Sequence, residues 1–272
     1  MQEIDQIYDS NPEFEWYRLT KTPYNQLELL VFLHHIQNHL PNRGLILDAG
    51  GGPGRYAINL CRLGYDVVLL DLSSGCIETA KAMLAQQSEE IQGRLMDYVV
   101  GNVADMSGFP DEMFDGVLCL DPLSCFAEES EREQAISEVV RVAKSGATVA
   151  LAVRGYLAVL RTIMRVASDN LMDGSLEILQ ATGNCHVRGV LHHFFRAAEM
   201  RRLAERHGLE TLLTAGGEGL SAGLPEATNA IAQDPEKWAR WKRIVVDTST
   251  DLAIVDVSEH VLYVGKKKSK PD

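Results

Sequence analysis

The middle of the chain alternates short apolar runs with longer segments of helical periodicity. Short apolar runs are typical of buried strands, and five of them occur, at residues 44–48, 66–72, 96–101, 114–120 and 147–153. Between these runs, apolar residues recur every three or four positions, as at Ile77, Ala80 and Leu84. The alternation predicts a parallel sheet with helices on its faces.

The last third of the chain continues this pattern. A helix is predicted over residues 199–207, a sixth strand over 209–215 and a final strand over 261–264. Another helix is expected to begin at Asp234 and Pro235, because aspartate caps a helix and proline suits its first position. In the centre, Ser130 and Glu133 have the spacing of a capping box, and Gly146 is expected to end the helix that they open.

Two segments do not follow the alternation. Residues 1–43 precede the first strand and hold an amphipathic run, which predicts an N-terminal helical cap over the sheet. Residues 156–192 combine one helical pattern with a stretch rich in Gly, Asn, Asp and Ser, which indicates an insertion after the fifth strand.

A glycine cluster follows the first predicted strand and precedes a helix. Glycine lets the backbone turn sharply and approach a ligand, and the helix that follows offers unpaired N–H groups. The dinucleotide pattern G-x-G-x-x-G/A fits this cluster poorly. Counted from Gly50, its third glycine would fall at Arg55, and only a start at Gly52 gives an allowed match, at Ala57. The turn therefore predicts a nucleotide-like ligand.

The same segment resembles motif I of class I S-adenosylmethionine-dependent methyltransferases, in their type 11-like, small-molecule branch. Its fixed positions, one acidic residue and three glycines, are filled by Asp48, Gly50, Gly52 and Gly54. The resemblance implies that these residues and Ala49 accommodate the methionine end and ribose of the cofactor. A carboxylate before the turn suits a ligand that carries an ammonium and a sulfonium, and it would disfavour a pyrophosphate.

Residues after the second and third strands extend the resemblance to the nucleoside. Asp71 ends the second strand, where an acidic side chain can accept both ribose hydroxyls. Nicotinamide-dependent enzymes also bind ribose with an acidic residue at this position, so Asp71 does not distinguish a nicotinamide dinucleotide from S-adenosylmethionine. In the methyltransferase family Leu72 would pack on the adenine, while Asn102 and Val103 would read its edge.

The resemblance also covers the fourth strand and implies the whole fold. Phe114 begins an F-D-x-V pattern typical of the family, and the backbone around Leu120 and Asp121 would line the methionine end of the cofactor. The implied fold is α/β and Rossmann-like: a doubly wound, seven-stranded, mostly parallel sheet with an antiparallel last strand. Residues 44–272 would form the methyltransferase domain.

Three polar side chains are candidates for further roles at the site. Asp121 opens a tetrapeptide with two of the four residues of the D/N-P-P-Y motif, so it either contacts a substrate nitrogen or is a turn residue beside the cofactor. His193, with its neighbour His192, either takes a proton from a hydroxyl substrate or is structural. Arg18 either pairs with the cofactor carboxylate or lies on a solvated helix face.

The composition of the chain disfavours several classes of binding partner and bears on the expected location of the protein. The 272 residues carry a formal net charge of −12, which disfavours nucleic acid and anionic membrane as partners. The five cysteines form no C-x-x-C pair, so neither a disulfide framework nor a structural zinc site is expected. The apolar runs are too short to span a bilayer, and no signal peptide is evident. These features predict a cytoplasmic protein without a bound metal.

The predicted function is methyl transfer from S-adenosylmethionine to a small-molecule acceptor. The acceptor pocket is expected between residues 1–43 and 156–192, because ligands of such sheets bind at the carboxyl ends of the strands. Two alternatives stay open: an NAD(P)-dependent oxidoreductase, and a non-catalytic protein that binds S-adenosylmethionine. A homodimer is a possible assembly.

Overall fold

A seven-stranded sheet organises the chain. The computed structural model describes residue 9 and residues 11–187 and 189–269. The seven strands are β1 (Leu45–Ala49), β2 (Asp66–Asp71), β3 (Leu95–Val100), β4 (Phe114–Leu120), β5 (Ala143–Arg154), β8 (Leu209–Gly216) and β9 (His260–Lys267). The strand order is β3-β2-β1-β4-β5-β9-β8, and β9 runs antiparallel to β5 and β8 while the remaining neighbours pair in parallel. This topology confirms the predicted fold class.

Helices cover both faces of the sheet. They are α1 (Pro12–Arg18), α2 (Pro23–His39), α3 (Arg55–Arg62), α4 (Ser74–Leu84), α5 (Glu89–Gln92), α6 (Glu129–Val142), α7 (Tyr156–Val166), α8 (Ser175–Thr182), α9 (Ala197–Arg206), α10 (Pro225–Ile231), α11 (Pro235–Thr248) and α12 (Leu252–Val257). Short 3-10 turns lie at Pro122–Cys125, Ser168–Leu171 and Gly219–Ser221. Within the described residues, no helix is both long and apolar enough to span a membrane.

The sheet separates two apolar cores because successive strand residues point to opposite faces. Leu47 and Val117 belong to the core on one face, and Ile46 and Leu118 to the core on the other. All four side chains are fully buried. Apart from Asp48 on β1 and Asp115 on β4, these two central strands carry no charged residue, as expected for a parallel sheet covered on both sides.

The N-terminal helices belong to the second of these cores. Trp16 on α1 and Val31 on α2 are buried in it with residues of the sheet. The guanidinium of Arg55, at the start of α3, lies 3.6 Å from the centre of the Trp16 ring. Its Nη2 and Nε atoms also donate to the Trp16 carbonyl, at 2.5 and 3.1 Å. Arg55 thus attaches α1 to the body of the protein.

The segment after β5 has more structure than its sequence indicated. It contains α7, α8 and an antiparallel hairpin of β6 (Asn184–Val187) and β7 (Val190–His193), which was not predicted. A small apolar cluster that includes Ile163, Leu179 and Phe194 joins these elements. The hairpin strands are only four residues long, which is too short for a clear alternating pattern.

The predicted boundaries of α6 are wrong. The helix begins at Glu129 after Glu128 as the N-cap, and its cap has no side-chain hydrogen bond, so the Ser130–Glu133 capping box does not form. Glu133 instead pairs with Arg206 and His207. The helix ends at Val142 rather than Gly146, because N–H groups of the segment before β4 bond to its last two carbonyls.

Replacing Arg55 with Gln should loosen α1. The change removes the stacking on Trp16 and the charged donor to its carbonyl, interactions worth about 1–3 kcal/mol together. Hydrogen exchange should then be faster across residues 12–18 in Arg55→Gln. Arg62→Gln, at an exposed position of the same helix, is the control. Equal exchange in both variants would show that Arg55 does not hold α1.

Candidate active site

A cavity of about 500 Å³ opens at the carboxyl ends of the parallel strands. It extends from the glycine turn after β1 to the insertion after β5 and the start of β9. Ten candidate residues line it: Arg18, Asp48, Gly50, Gly52, Asp71, Leu72, Asn102, Val103, Leu120 and Asp121. The candidates therefore meet around one space, although they come from five separate segments of the chain.

The glycine turn is fixed to the neighbouring strand. The N–H groups of Gly50 and Gly51 both donate to the carbonyl of Leu70 on β2, at 2.6 and 3.2 Å. Gly50 has a φ of +72°, and a Cβ there would lie 2.2 Å from Cγ of Pro122. A larger residue would therefore be strained by its backbone and would also clash.

Asp48 lies beneath this turn. Its side chain is fully buried, and its Oδ2 atom accepts the N–H of Ala57 at 3.0 Å. Its Oδ1 atom has no hydrogen-bond partner among the described residues, although Asp48 lines the cavity. Burial raises the pKa of Asp48 to about 7. A buried carboxylate with an unsatisfied oxygen fits the cationic groups of S-adenosylmethionine.

Asp71 and Asn102 face the next part of the cavity. The two carboxylate oxygens of Asp71 accept the N–H groups of Gly52 and Ser73, at 2.7 and 2.9 Å. Asp71 also lines the cavity, and carboxylate oxygens are hydrogen-bond acceptors. The Oδ1 atom of Asn102 accepts the N–H of Ala104 at 2.9 Å, so this amide oxygen shapes the loop after β3.

Asp121 forms an ion pair with Arg154. Its carboxylate binds the Arg154 guanidinium through Nε at 3.0 and 3.1 Å and through Nη2 at 2.6 Å. Burial alone would raise the pKa of Asp121, but Arg154 outweighs it and the pKa is lowered. Asp121 also has a φ of +86°, which is rare outside glycine. The pair places an arginine at the end of β5 beside the cavity.

Arg18 reaches the cavity but already has acidic partners. Its Nη1 atom lies 2.8 Å from Oε2 of Glu28, and its Nε atom lies 3.4 Å from Glu15. Burial opposes the charged form of Arg18, yet these carboxylates raise its pKa above the ordinary value. Arg18 is therefore a charged side chain at the site rather than a residue on a solvated helix face.

Three predicted residues do not line the cavity. The ring of His193 is turned away and is held by Asn184 at Nδ1 and Glu199 at Nε2, both at 2.7 Å. Its neighbour His192 lines the cavity instead, because adjacent strand residues point to opposite sides. Ala49 is fully buried, and Gly54 is the N-cap of α3, where a Cβ would lie 3.2 Å from Cβ of Ala80.

Sequence reasoning missed the polar group at the other end of the cavity. His260 lines the cavity, and its Nδ1 atom lies 2.7 Å from Glu218 and 3.2 Å from Glu28. Nearby, the hydroxyl of Tyr24 donates to Glu259 at 2.6 Å and accepts the N–H of Gly223 at 3.1 Å. These residues are far apart in sequence and form no motif, so no local signal could have found them.

Comparison with known proteins agrees with this geometry. A family model described as a methyltransferase domain matches residues 47–151. A protein of Geobacillus sp. (strain WCH70), named as a methyltransferase, is 22% identical over 262 residues, which are 93% of this chain and 97% of the relative. Residues 47–151 of the chain therefore belong to a methyltransferase domain, and the whole chain has the fold of S-adenosylmethionine-dependent methyltransferases. S-adenosylmethionine is its cofactor.

Solved structures share the fold of this methyltransferase. A S-adenosylmethionine-dependent methyltransferase from Methanosarcina mazei matches with a TM-score of 0.62 at 20% identity, covering 87% of this chain and 98% of that one. The 1,6-didemethyltoxoflavin N1-methyltransferase of Burkholderia thailandensis matches with a TM-score of 0.55 at 13% identity, covering 98% of this chain and 90% of that one.

Replacing Asp48 with Asn should change how stability depends on pH. The folded-state pKa of about 7 lies above the ordinary value of 3.8, so the folded protein favours the protonated acid. This stabilisation is present at low pH and is lost as the pH rises from about 4 to about 7, with a slope of up to about 1.4 kcal/mol per pH unit.

Urea unfolding of the wild type and of Asp48→Asn between pH 4 and 8 measures this difference. The free energy of unfolding should decline more steeply with pH in the wild type, because the amide has no proton to lose. Asp97→Asn, at an exposed position on β3, should keep the wild-type slope. Parallel curves for the wild type and Asp48→Asn would contradict the assignment of a raised pKa to Asp48.

Proposed function

We propose that this methyltransferase transfers a methyl group to a small-molecule acceptor bound in the part of the cavity between the N-terminal segment, the insertion after β5 and the start of β9. We call this part the acceptor end; it is lined by Arg18, Ala158, Val159, Phe194 and His260. The observation that supports the proposal most directly is that the cavity is continuous. One cavity joins the motif I turn to residues of the N-terminal segment, the insertion and β9.

The cofactor would lie across the ends of β1, β2 and β3. Asp48 would face its cationic groups, Asp71 its ribose hydroxyls, and Leu72 with Val103 the adenine. The bound cofactor supplies a methyl group already activated by the sulfonium. The protein's own residues therefore mainly orient the acceptor and exclude water.

The acceptor end favours a small organic molecule. Apolar residues of α7 and the hairpin line it together with a few polar groups, which is the usual composition of small-ligand pockets. The net charge of −12 opposes a nucleic-acid acceptor. The structural neighbour from Burkholderia thailandensis was solved with bound 1,6-didemethyltoxoflavin and S-adenosylhomocysteine. The five free cysteines favour a reducing compartment such as the cytoplasm.

Replacing Asp71 with Asn should weaken cofactor binding. Loss of a charge-assisted hydrogen bond to the ribose costs about 1.5–3 kcal/mol, which corresponds to about ten- to hundredfold in Kd. Isothermal titration with S-adenosylhomocysteine measures this change, and Asp97→Asn is the matched control. An unchanged Kd in Asp71→Asn would mean that Asp71 does not contact the nucleoside.

The two alternative functions have their own tests. NADH fluorescence should not change when the protein is added, whereas radiolabelled S-adenosylmethionine should be retained. Incubation with labelled S-adenosylmethionine and pooled phenols and amines should then yield S-adenosylhomocysteine. Binding of NADH without binding of S-adenosylmethionine would overturn the proposal.

A further inference from the structure

The acceptor end contains a histidine backed by two buried carboxylates. His260 is the first residue of β9, Glu28 lies on α2, and Glu218 follows β8. The side chain of His260 is 22% exposed and lines the cavity, whereas those of Glu28 and Glu218 are 8% and 3% exposed. The two carboxylates therefore stand behind the ring, on the side away from the cavity.

The carboxylates fix the orientation of the ring. Nδ1 of His260 lies 2.7 Å from Oε1 of Glu218 and 3.2 Å from Oε2 of Glu28, so its hydrogen is shared between them. The other oxygen of Glu218 accepts the backbone N–H groups of Glu259 and His260, at 2.8 and 3.1 Å. The ring thus presents Nε2 to the cavity, and this atom makes no hydrogen bond to the described residues.

The surrounding charges favour a ring that holds an extra proton. Burial would lower the pKa of His260, but Glu28 and Glu218 outweigh it and raise the pKa to about 9. Arg18 acts in the opposite direction. The other charged or titratable groups near the ring are Tyr24, Tyr56, Asp121, Arg154 and Glu259.

The sheet places this ring beside the expected point of methyl transfer. His260 is the cross-strand partner of Arg154, whose guanidinium binds Asp121 at the end of β4. The resemblance to known methyltransferases sets that end of β4 beside the methionine end of the cofactor. An acceptor between the cofactor and β9 must therefore approach the Nε2 atom of His260.

We infer that His260 is a catalytic residue that takes a proton from the acceptor at Nε2, and that the acceptor is consequently a hydroxyl or amine that must lose a proton when it is methylated. Glu218 and Glu28 are the positioning residues of this device. The inference rests on the proposed function, because it specifies the chemical class of acceptor at the same site.

The step balances in atoms and charge. A lone pair of the acceptor oxygen or nitrogen forms a bond to the methyl carbon while the bond from that carbon to sulfur breaks, which leaves S-adenosylhomocysteine. The acceptor proton passes to Nε2 of the neutral ring, the form that appears as the pH rises through the pKa of about 9 and whose other nitrogen, Nδ1, still carries hydrogen. The resulting imidazolium is stabilised by Glu218 and Glu28.

Histidine NMR provides a test that needs no acceptor. The ring of His260, assigned with His260→Gln, is titrated in complexes with S-adenosylmethionine and with S-adenosylhomocysteine. If Nε2 faces the transferred methyl, the sulfonium opposes the imidazolium, and the pKa of His260 should be lower in the S-adenosylmethionine complex by on the order of one unit. Glu218→Gln, or Glu28→Gln if the first fails to fold, should lower the pKa in both complexes.

Transfer assays add a kinetic readout. With any phenol or amine from the pool that is methylated, His260→Gln should reduce kcat by about a hundredfold or more while leaving the Kd for S-adenosylhomocysteine unchanged. In Glu218→Gln, the pH at which the rate reaches half its maximum should move down with the pKa of the ring. His34→Gln, at an exposed position of α2, is the matched control.

Three outcomes would overturn the inference. An identical pKa of His260 in the two complexes would place the ring away from the methyl group. Full kcat in His260→Gln would exclude proton transfer at Nε2. Loss of the NMR signal of the His260 ring on adding micromolar Zn²⁺ or Mn²⁺ would show instead that Glu28, Glu218 and His260 bind a metal ion. If the protein bound neither S-adenosylmethionine nor S-adenosylhomocysteine, the proposed function itself would be wrong, which distinguishes that result from these three.

Discussion

The paired hydrogen bonds from Gly50 and Gly51 to the carbonyl of Leu70 join the end of β1 to the end of β2. With the turn held in this way, Asp48 stays beneath it and Asp71 stays beside it, where it accepts the N–H of Gly52. No side chain fits at position 50, so the backbone itself forms the wall of the cavity. The other features of the cofactor site are arranged around this fixed turn.

The two ends of the cavity use charge differently. At the glycine turn, the Oδ1 atom of Asp48 has no hydrogen-bond partner among the described residues, and burial raises the pKa of Asp48 to about 7, which favours the protonated acid. At the acceptor end, Arg18, Arg154 and His260 each have a carboxylate partner in the protein. The first end therefore holds a buried acid with an unsatisfied oxygen, whereas each of these cationic side chains at the second end is paired with a carboxylate.

The features that could be predicted from the sequence are those that depend on residues close together in the chain. Strand periodicity and the glycine spacing between residues 48 and 54 depend on neighbours in sequence, and they led to the sheet and the turn. The side chain of His193 was a poor candidate because the direction of a strand residue depends on the register of a hairpin that four-residue strands do not reveal. Likewise, His260 gains its partners from α2 and from the loop after β8, which no local pattern connects.

The contact between Tyr24 and Glu259 spans 235 positions of the chain. Closing such a long loop is slow compared with forming the turn between Asp48 and Asp71, which needs only neighbouring segments. During synthesis, the part of the cavity around the glycine turn can therefore form while the N-terminal helices still lack β9 as a partner. Because α2 precedes every described strand and β9 follows them all, the acceptor end can form only after β9 has been synthesised.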